Sequence, residues 1–214
     1  MPKSPSTRPR KPSVSTNQLR IIGGQWRGRK LSFPDVEGLR PTGDRIRETL
    51  FNWLAPDIQG ARCLDLFAGS GALGLEALSR GASYSLLLER DYQAATALKQ
   101  NLHILKTDAR QLLQVDSLKY LEAGNQDVPF EVVFIDPPFG LNLWPQVIKN
   151  LEQGNWLAAD ACVYLEAPRD CPIATPNHWH LHRDKQAGQV SYRLYYCGAA
   201  QISASTGDTD INLL

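Results

Sequence analysis

The most informative stretch of the chain spans residues 63–74 and reads CLDLFAGSGALG. Its first four residues are mostly apolar, as in a buried strand, and a glycine-rich turn then leads into a helix predicted over residues 73–80. Gly69, Gly71 and Gly74 match the spacing G-x-G-x-x-G, in which a glycine turn lets the backbone approach a bound nucleotide closely. The stretch therefore predicts a strand–turn–helix unit that binds a nucleotide-like ligand.

Two carboxylates near this turn distinguish between possible ligands. Asp65 lies inside the predicted strand, four residues before Gly69. It would repel the pyrophosphate of NAD, but it would attract a ligand that carries an ammonium and a sulfonium group. Glu89 ends the next predicted strand, at a position where a carboxylate commonly holds ribose hydroxyls. The pair favours a cationic nucleoside over a dinucleotide.

A second loop of unusual composition, Asp136-Pro137-Pro138-Phe139, follows the apolar run at residues 130–135. Two successive prolines keep the backbone extended and donate no hydrogen bond, so we expect both proline carbonyls to be available as acceptors. The Asp136 carboxylate adds a further acceptor, and Phe139 adds a flat apolar face. Acceptors beside an aromatic ring suit a planar base that carries an exocyclic amine. Taken alone, the loop would fit equally well a purely structural role, in which the strand stops and a turn follows.

Strands and helices alternate along the rest of the chain. They are predicted at 44–54, 62–68, 73–80, 84–89, 91–103, 111–115, 117–122, 130–135, 142–152 and 160–166. The first of these is a helix, and the regular alternation that follows predicts an α/β fold with a parallel sheet and helices on both faces. Strands at 178–185 and 190–197, joined by a short turn that contains Gly188, predict a C-terminal β-hairpin.

Positive charge is concentrated at the N-terminus. Residues 1–34 contain eight of the 23 Lys and Arg residues and none of the 22 Asp and Glu residues. A split of this kind is typical of a protein that docks a polyanion through one end. Residues 1–18 are rich in Pro and Ser and are predicted to be a disordered basic arm, for which a solubility tail is the alternative. Residues 19–33 are predicted to be a short hairpin, where Trp26 among basic residues suits phosphates and an unstacked base.

Together, these motifs resemble those of class I S-adenosylmethionine-dependent methyltransferases. Within that class the chain resembles the RsmD family of 16S rRNA guanine-N2 methyltransferases, over roughly residues 19–198. The segments that carry the resemblance are Arg20-Ile21-Ile22-Gly23-Gly24, Arg40-Pro41-Thr42, residues 44–48, residues 50–54, residues 65–74 and residues 136–139. The resemblance implies a Rossmann-like sheet of seven strands, the last of them antiparallel, with the basic hairpin as an N-terminal extension.

The resemblance also implies roles for individual residues. S-adenosyl-L-methionine is the expected cofactor, and its expected ligands are Asp65, Phe67, Ala68, Gly69, Ser70, Gly71, Glu89, Asp116 and Ser117. Asp and Ser also favour the N-cap of a helix, so the last two residues have a second interpretation. The expected RNA contacts are Arg20, Trp26, Arg27, Arg29, Lys30, Arg40, Thr42 and Arg45. Catalysis is expected of Asp136, Pro137, Pro138 and Phe139, and no metal ion is expected.

The expected reaction transfers a methyl group from a sulfonium to the exocyclic N2 amine of a guanine in 16S rRNA, at guanine 966 by resemblance. Asp136 and a proline carbonyl would accept the two amine protons as hydrogen bonds, and Phe139 would stack on a base that has left its stack. The expected partner is 16S rRNA within a small-subunit particle. We expect the enzyme to act as a monomer.

Three other functions remain open. A DNA amino-methyltransferase can share the Asp-Pro-Pro-aromatic loop, but it usually carries a long target-recognition segment. A release-factor glutamine methyltransferase normally has Asn in place of Asp136. A non-catalytic RNA-binding assembly factor could keep the fold, although intact Asp65, Glu89 and Asp136 argue against it.

The domain organisation is predicted as an arm at 1–18, a hairpin and loop extension at 19–43, a methyltransferase domain at 44–200 and a flexible tail at 201–214. The basic N-terminus has no apolar segment typical of a secretory signal, and no stretch of the chain is long and apolar enough to span a membrane. The four cysteines show no C-x-x-C spacing and are interpreted as reduced. A cytoplasmic location is therefore expected.

A row of alternating histidines, His178, His180 and His182, would face one side of the predicted strand 178–185. Three imidazoles could bind zinc, but the sequence shows no evident fourth ligand. Trp179 and Leu181 alternate on the other face, as expected of a half-buried strand. An exposed histidine row is the favoured interpretation.

Overall fold

The computed structural model describes residues 16–36, 42–107 and 111–198 of the 214-residue chain. The predictions for residues 1–15 and 199–214, and for Arg40, lie outside these ranges. The described part contains nine β-strands and five α-helices. They are β1 (Thr16–Arg20), β2 (Lys30–Pro34), α1 (Asp44–Trp53), β3 (Arg62–Asp65), α2 (Gly74–Ser79), β4 (Tyr84–Glu89), α3 (Tyr92–Leu105), β5 (Leu112–Gln114), α4 (Ser117–Glu122), β6 (Phe130–Ile135), α5 (Trp144–Gln153), β7 (Leu157–Pro168), β8 (Trp179–Ala187) and β9 (Val190–Cys197).

Seven strands form one sheet in the order β5-β4-β3-β6-β7-β9-β8. The five strands from β5 to β7 run parallel, and β9 pairs antiparallel with both β7 and β8. The predicted Rossmann-like α/β sheet of seven strands, with its last strand antiparallel, is thereby confirmed. Strands β1 and β2 form a separate antiparallel hairpin, as predicted.

Helices cover both faces of this sheet because alternate residues of its central strands point in opposite directions. In β6, Phe134 packs on Phe51 of α1 with ring centroids 6.0 Å apart, whereas Ile135 belongs to the core cluster that contains Trp144 of α5. Both β6 residues are fully buried, as is Tyr164 beside Phe134 in β7. The carboxyl ends of the parallel strands remain as the edge where side chains can meet a ligand.

The β1–β2 hairpin packs against α2. Glu76 of α2 accepts hydrogen bonds from the backbone amides of Ile22 at 2.9 Å and Gly23 at 2.7 Å. Gly24 has a φ of +72°, and a Cβ atom there would lie only 1.7 Å from the carbonyl oxygen of Ser79. A side chain at that position would be both strained and excluded, so glycine permits the close approach.

Some element boundaries differ from the predicted ones. β1 begins at Thr16 rather than at Leu19, and β3 ends at Asp65 rather than at residue 68. Leu66 and Ala68 are buried in the turn instead of the sheet, so the hydrophobicity of this stretch extended the predicted strand too far. β7 spans Leu157–Pro168 and is longer than the predicted strand at 160–166.

The three histidines near β8 have three different partners. His178 Nε2 lies 3.0 Å from Glu152 Oε2, His180 Nε2 lies 3.0 Å from the carbonyl oxygen of Gly198, and the His182 ring packs on Tyr196. The geometry gives no support for a shared zinc site.

The residues between these histidines do not form the half-buried face that was predicted. Trp179 is 4% exposed, but Leu181 is 54% exposed, next to a β-bulge between Leu181 and Arg183. Leu181 lies on the edge strand, outside the core cluster that contains Trp179.

All four cysteines are free thiols, and Cys63, Cys162 and Cys197 are buried. Burial raises the pKa of the Cys197 thiol to about 12. Within the described ranges, no helix combines the length and hydropathy that a membrane crossing requires.

Candidate active site

Three predicted carboxylates meet at one edge of the sheet. Asp65 ends β3, Glu89 ends β4 and Asp136 follows β6. These strands are parallel neighbours in the order β4-β3-β6, so their carboxyl ends lie side by side. The sheet therefore brings together residues that are up to 71 positions apart in the sequence.

The glycine turn between β3 and α2 has the backbone geometry that its sequence predicted. Gly69 and Gly71 have φ values of +52° and +82°, in the left-handed region that favours glycine. A Cβ atom on Gly71 would lie 2.5 Å from a methyl carbon of Leu98. The turn is thus both conformationally special and tightly packed against α3.

Asp65 holds this turn through a hydrogen bond to its backbone. Its Oδ2 accepts a hydrogen bond from the backbone amide of Gly74 at 2.9 Å, and its side chain is buried. Burial raises the pKa of Asp65 to about 7; the Gly74 amide opposes the shift, and the negative charges of Asp136 and Glu89 add to it. A cation bound in the site would favour the ionised form of Asp65.

Glu89 joins the end of β4 to the same turn. Its Oε2 accepts from the backbone amide of Gly69 at 2.8 Å, and its Oε1 accepts from that of Asp91 at 2.6 Å. Each carboxylate oxygen has two lone pairs, so a second acceptor position remains on each for a hydroxyl group. The half-buried side chain is thereby held in one orientation.

Asp116 caps helix α4, which was one of its two interpretations. Its Oδ1 accepts from the backbone amides of Leu118 at 3.1 Å and Lys119 at 3.2 Å. Ser117 is buried, and its hydroxyl donates to the carbonyl oxygen of Leu66 in the glycine turn. The cap is therefore observed, and a contact of Asp116 with adenine remains a prediction.

The remaining predicted cofactor ligands line the turn itself. Phe67 is half-buried, and Ala68 and Ser70 are buried. Ser70 Oγ is notable because it is a buried polar atom without a hydrogen-bond partner among the described residues. A buried hydroxyl of this kind is satisfied when a ligand supplies the partner.

Asp136 is held by a residue from the N-terminal extension. Its Oδ2 accepts a hydrogen bond from Thr42 Oγ at 3.1 Å. Burial raises the pKa of Asp136 to about 6, and the Thr42 hydrogen bond opposes this shift. Thr42 itself is 7% exposed, so the structure places this predicted RNA contact underneath the site, against the carboxylate.

The two prolines that follow Asp136 are not equivalent. The carbonyl oxygen of Pro138 already accepts from the backbone amide of Leu141 at 3.1 Å, which leaves the Pro137 carbonyl as the better candidate acceptor. The expectation that both carbonyls are available is corrected to this extent. Phe139 is 38% exposed, with its ring centroid 6.0 Å from that of Trp144, so it presents a supported apolar face to solvent.

The predicted RNA contacts within the described ranges fall into an exposed group and a buried group. Arg20, Arg27, Arg29, Lys30 and Arg45 are exposed. Arg20 also forms an ion pair with Asp44 at 3.0 Å.

Trp26, in contrast, is 9% exposed and packs in a core cluster with Ile21 and Leu31 of the hairpin and with Leu78 of α2. The structure therefore places Trp26 in the core rather than on the surface that base stacking requires. An aromatic residue among arginines suggested a surface position, but Trp26 instead helps to pack the hairpin against the sheet domain.

Four further buried polar residues were assigned no role from the sequence. Arg47 and Glu76 form a fully buried ion pair with Nη1 and Oε2 3.4 Å apart, and Tyr164 OH donates to the buried Glu166 Oε2 at 2.8 Å. Burial raises the pKa of Glu166 to about 8, the charge of Asp136 adds to the shift, and the Tyr164 hydrogen bond opposes it. For Arg47, Glu76 and Glu166 the available signal was a charged residue on an apolar helix face or near the end of an apolar strand, whereas Tyr164 carried no such signal.

Comparison with known proteins gives a consistent result. A family model described as "Conserved hypothetical protein 95" matches residues 19–196. The Ribosomal RNA small subunit methyltransferase D of Escherichia coli (strain K12) is 51% identical over 188 residues, which cover 87% of this chain and 94% of that protein. The protein of the same name from Haemophilus influenzae is 51% identical over 180 residues, or 83% and 93% of the two chains.

Solved structures show the same similarity. A structure described as a putative methyltransferase yhhF from Escherichia coli has 48% sequence identity and a TM-score of 0.78, and the match covers 86% of this chain and 100% of that one. The Thermus thermophilus 16S rRNA N2 G1207 methyltransferase RsmC, solved with AdoMet and guanosine, has 19% identity and a TM-score of 0.64 over 88% of this chain and 52% of that chain, and shares the fold. A family match over most of the length and 51% identity to two relatives place the chain in the RsmD family of class I S-adenosylmethionine-dependent methyltransferases.

Proposed function

We propose that this methyltransferase acts on the exocyclic N2 amine of a guanine in small-subunit ribosomal RNA, at guanine 966 of 16S rRNA. The relatives at 51% identity are small-subunit ribosomal RNA methyltransferases by name, which supports the substrate class. The choice of an amine on a planar base rests on one observation. The Asp136 carboxylate and the exposed ring of Phe139 lie on one short loop, next to the strand that carries the glycine turn.

The glycine turn is proposed to hold S-adenosylmethionine, which supplies a methyl group on a positively charged sulfonium. Ser70 Oγ, buried and without a partner in the described structure, supports a ligand at this position. Glu89 would bind the ribose hydroxyls through its remaining lone pairs, and Asp116 would accept from the adenine amine. Asp65, at the end of the neighbouring strand, would stabilise the positive charge of the cofactor.

Asp136 is proposed to orient the amine and to receive its proton. The lone pair of a guanine amine is delocalised into the ring, so the amine is a weak nucleophile. Hydrogen bonds from its two N–H groups to Asp136 and to the Pro137 carbonyl would turn the lone pair towards the methyl carbon. The nitrogen lone pair would form the new N–C bond as the S–C bond breaks with its electron pair on sulfur, and an N–H proton would pass to Asp136.

The protonation state of Asp136 fits this role. A pKa of about 6 leaves the carboxylate mostly ionised at neutral pH, and therefore able to accept a hydrogen bond and later a proton. Positive charge grows on the nitrogen during transfer, where a negative carboxylate in a buried site is most effective. Orientation of the reactants can contribute about 7–11 kcal/mol to such a reaction.

The RNA would meet this loop from the side of the N-terminal hairpin. The target base has to leave its stack to reach a pocket of this kind, and Phe139 would stack on it. The exposed Arg27, Arg29 and Lys30 of the hairpin, together with Arg45 at the start of α1, would bind the flanking phosphates. We propose that a single copy of the enzyme acts on the 16S rRNA within a small-subunit particle.

Methyl transfer to isolated small-subunit RNA and particles from a strain that lacks the modification tests this function. Tritiated S-adenosylmethionine is the donor, and the RNA is digested to nucleosides for chromatography and mass spectrometry. The expected product is N2-methylguanosine. Label on an adenine would favour a different base, label on a protein glutamine would favour the release-factor methyltransferases, and cofactor binding without transfer would favour an assembly factor.

A further inference from the structure

The buried side chain of Arg47 connects four separate parts of the molecule. It lies on α1, and its side chain is 1% exposed. Its Nη2 donates to the carbonyl oxygen of Arg20 in the hairpin at 2.9 Å, and its Nε donates to the carbonyl oxygen of Thr42 at 3.2 Å. The same guanidinium lies 3.4 Å from Glu76 on α2 and 2.6 Å from Asp44 at the start of its own helix.

The Thr42 end of this network reaches the active site. The carbonyl group of Thr42 is held by Arg47, and its hydroxyl donates to Asp136 Oδ2 at 3.1 Å. A threonine that is 7% exposed has little solvent to satisfy these groups, so its two hydrogen bonds fix where the hydroxyl points. One continuous chain of contacts therefore runs from the hairpin backbone through Arg47 and Thr42 to the carboxylate.

We propose, as an extension that rests on the proposed function, that Arg47 is a positioning residue for the methyl transfer, because it holds Thr42 in the place from which the threonine hydroxyl orients Asp136. A buried ion pair is a poor source of net stability, since apolar residues of similar volume often serve as well. A planar guanidinium differs in that it can direct hydrogen bonds to several acceptors at once. The acceptors here come from the hairpin, the Thr42 loop, α1 and α2.

The pH dependence of the reaction distinguishes this role from a purely structural one. Thr42 is the hydrogen-bond donor to Asp136, and its hydrogen bond lowers the pKa of that carboxyl against the effect of burial. Among the described residues, the titratable groups whose pKa responds to the charge of Asp136 are Asp65 on β3 and Glu166 and Tyr164 on β7. None of these three is altered by a change at residue 42 or 47, so a shift of the acid limb reports on the Thr42 hydrogen bond.

The test compares Thr42→Val, Thr42→Ser, Arg47→Lys and the double variant Thr42→Val/Arg47→Lys in the methyl-transfer assay. Thr42→Val keeps the shape of the side chain and removes the donor, so kcat should fall roughly threefold to tenfold, as expected for one hydrogen bond. The acid limb of the kcat–pH profile should move to higher pH, and the KM for S-adenosylmethionine should stay unchanged. Thr42→Ser keeps the hydroxyl donor, so both its rate and the position of its acid limb should match those of the unaltered enzyme.

Arg47→Lys should reproduce both effects, because an ammonium group cannot serve the same set of acceptors. The double variant should be no slower than the slower single variant, within about twofold, if both changes remove one hydrogen bond. Additive losses, or an unshifted acid limb in Thr42→Val, would overturn the proposal. If Arg47→Lys does not fold, Asp44→Asn takes its place in the comparison of single and double variants, because it weakens the contact that holds the same guanidinium on its exposed side. Absence of methylguanosine from the unaltered enzyme would instead refute the proposed function.

Discussion

Glu76 should be one of the most sensitive positions for stability, although it lies away from the reacting groups. Its side chain is 0% exposed. It accepts four hydrogen bonds: from the backbone amides of Ile22 at 2.9 Å and Gly23 at 2.7 Å, from Arg47 Nη1 at 3.4 Å and from Arg80 Nε at 2.8 Å. Glu76→Gln keeps the size of the side chain but replaces one acceptor oxygen with an NH2 group. That group would face donors, and Arg47 would lose its buried counter-charge.

Breaking a buried ion pair on one side costs about 3–5 kcal/mol. A single domain is stable by about 5–15 kcal/mol, so this loss is a large fraction of the total. For a chain of this size, each kcal/mol corresponds to about 2–4 °C in Tm, so a decrease of roughly 6–20 °C is expected. The hairpin should also loosen, because two of the lost or weakened bonds hold its backbone.

Urea unfolding of Glu76→Gln, followed by circular dichroism and by tryptophan fluorescence, measures this loss. Glu48→Gln on the exposed surface of α1 is the matched control, for which a change within about 0.5 kcal/mol is expected. Limited trypsin digestion should cleave the variant faster than the parent after the hairpin residues Arg27 and Arg29. A loss of less than about 1 kcal/mol, which is typical of an exposed pair, would refute the interpretation of Glu76 as the buried anchor of the hairpin.

Three further outcomes are expected. Glu89→Ala should weaken S-adenosylmethionine binding at least tenfold, since charge-assisted hydrogen bonds contribute about 1.5–3 kcal/mol each; unchanged affinity in calorimetry would exclude Glu89 from the site. Combined replacement of Arg27, Arg29 and Lys30 by Ala should flatten the salt dependence of RNA binding by roughly 0.7–0.9 per lost phosphate contact, with cofactor affinity retained; a parental slope in filter binding would remove the hairpin from the RNA interface. The pKa of Glu166 is raised in the folded state from 4.5 to about 8, so its contribution to stability should be complete below pH 4.5 and be lost as pH rises towards 8. In urea titrations, Glu166→Gln should reduce this pH-dependent fall in the free energy of unfolding. The same pH dependence in variant and parent would contradict a raised pKa of Glu166.

Sequence patterns were sufficient for the parts of the fold that follow from local periodicity. The strand–turn–helix at residues 63–74 and the apolar run before Asp136 depend on short-range rules; the second has the predicted bounds, and the first has the predicted order of elements with a strand that ends three residues earlier. Family resemblance then supplied the strand number and the antiparallel last strand. The carboxylates of Asp65, Glu89 and Asp136 converge because parallel strands end at a common edge, which the alternation of elements already implied.

The tertiary environment of individual side chains was not available from such patterns. Trp26 and Thr42 have residue types that suit an RNA surface, yet both are buried. Arg47 lies on the apolar face of α1, but an arginine on a helix is usually exposed, so that signal alone does not predict burial. Only the three-dimensional arrangement shows that Glu76 lies opposite it. The same burial affects experimental design, since deleting the hairpin would expose a core that contains Ile21 and Leu31 and would not report on charge alone.

The rate of the Asp136→Asn variant provides the decisive measurement. Asparagine keeps the size and one acceptor oxygen, but it removes the negative charge beside the amine and the site that receives the proton. Single-turnover formation of N2-methylguanosine should slow by about 10²–10³, the usual effect of losing one such electrostatic contact. The affinities for S-adenosylmethionine and RNA should change little, because the lost interaction strengthens only in the transition state. A variant that forms N2-methylguanosine at the parental rate would contradict the role of Asp136 in the reaction.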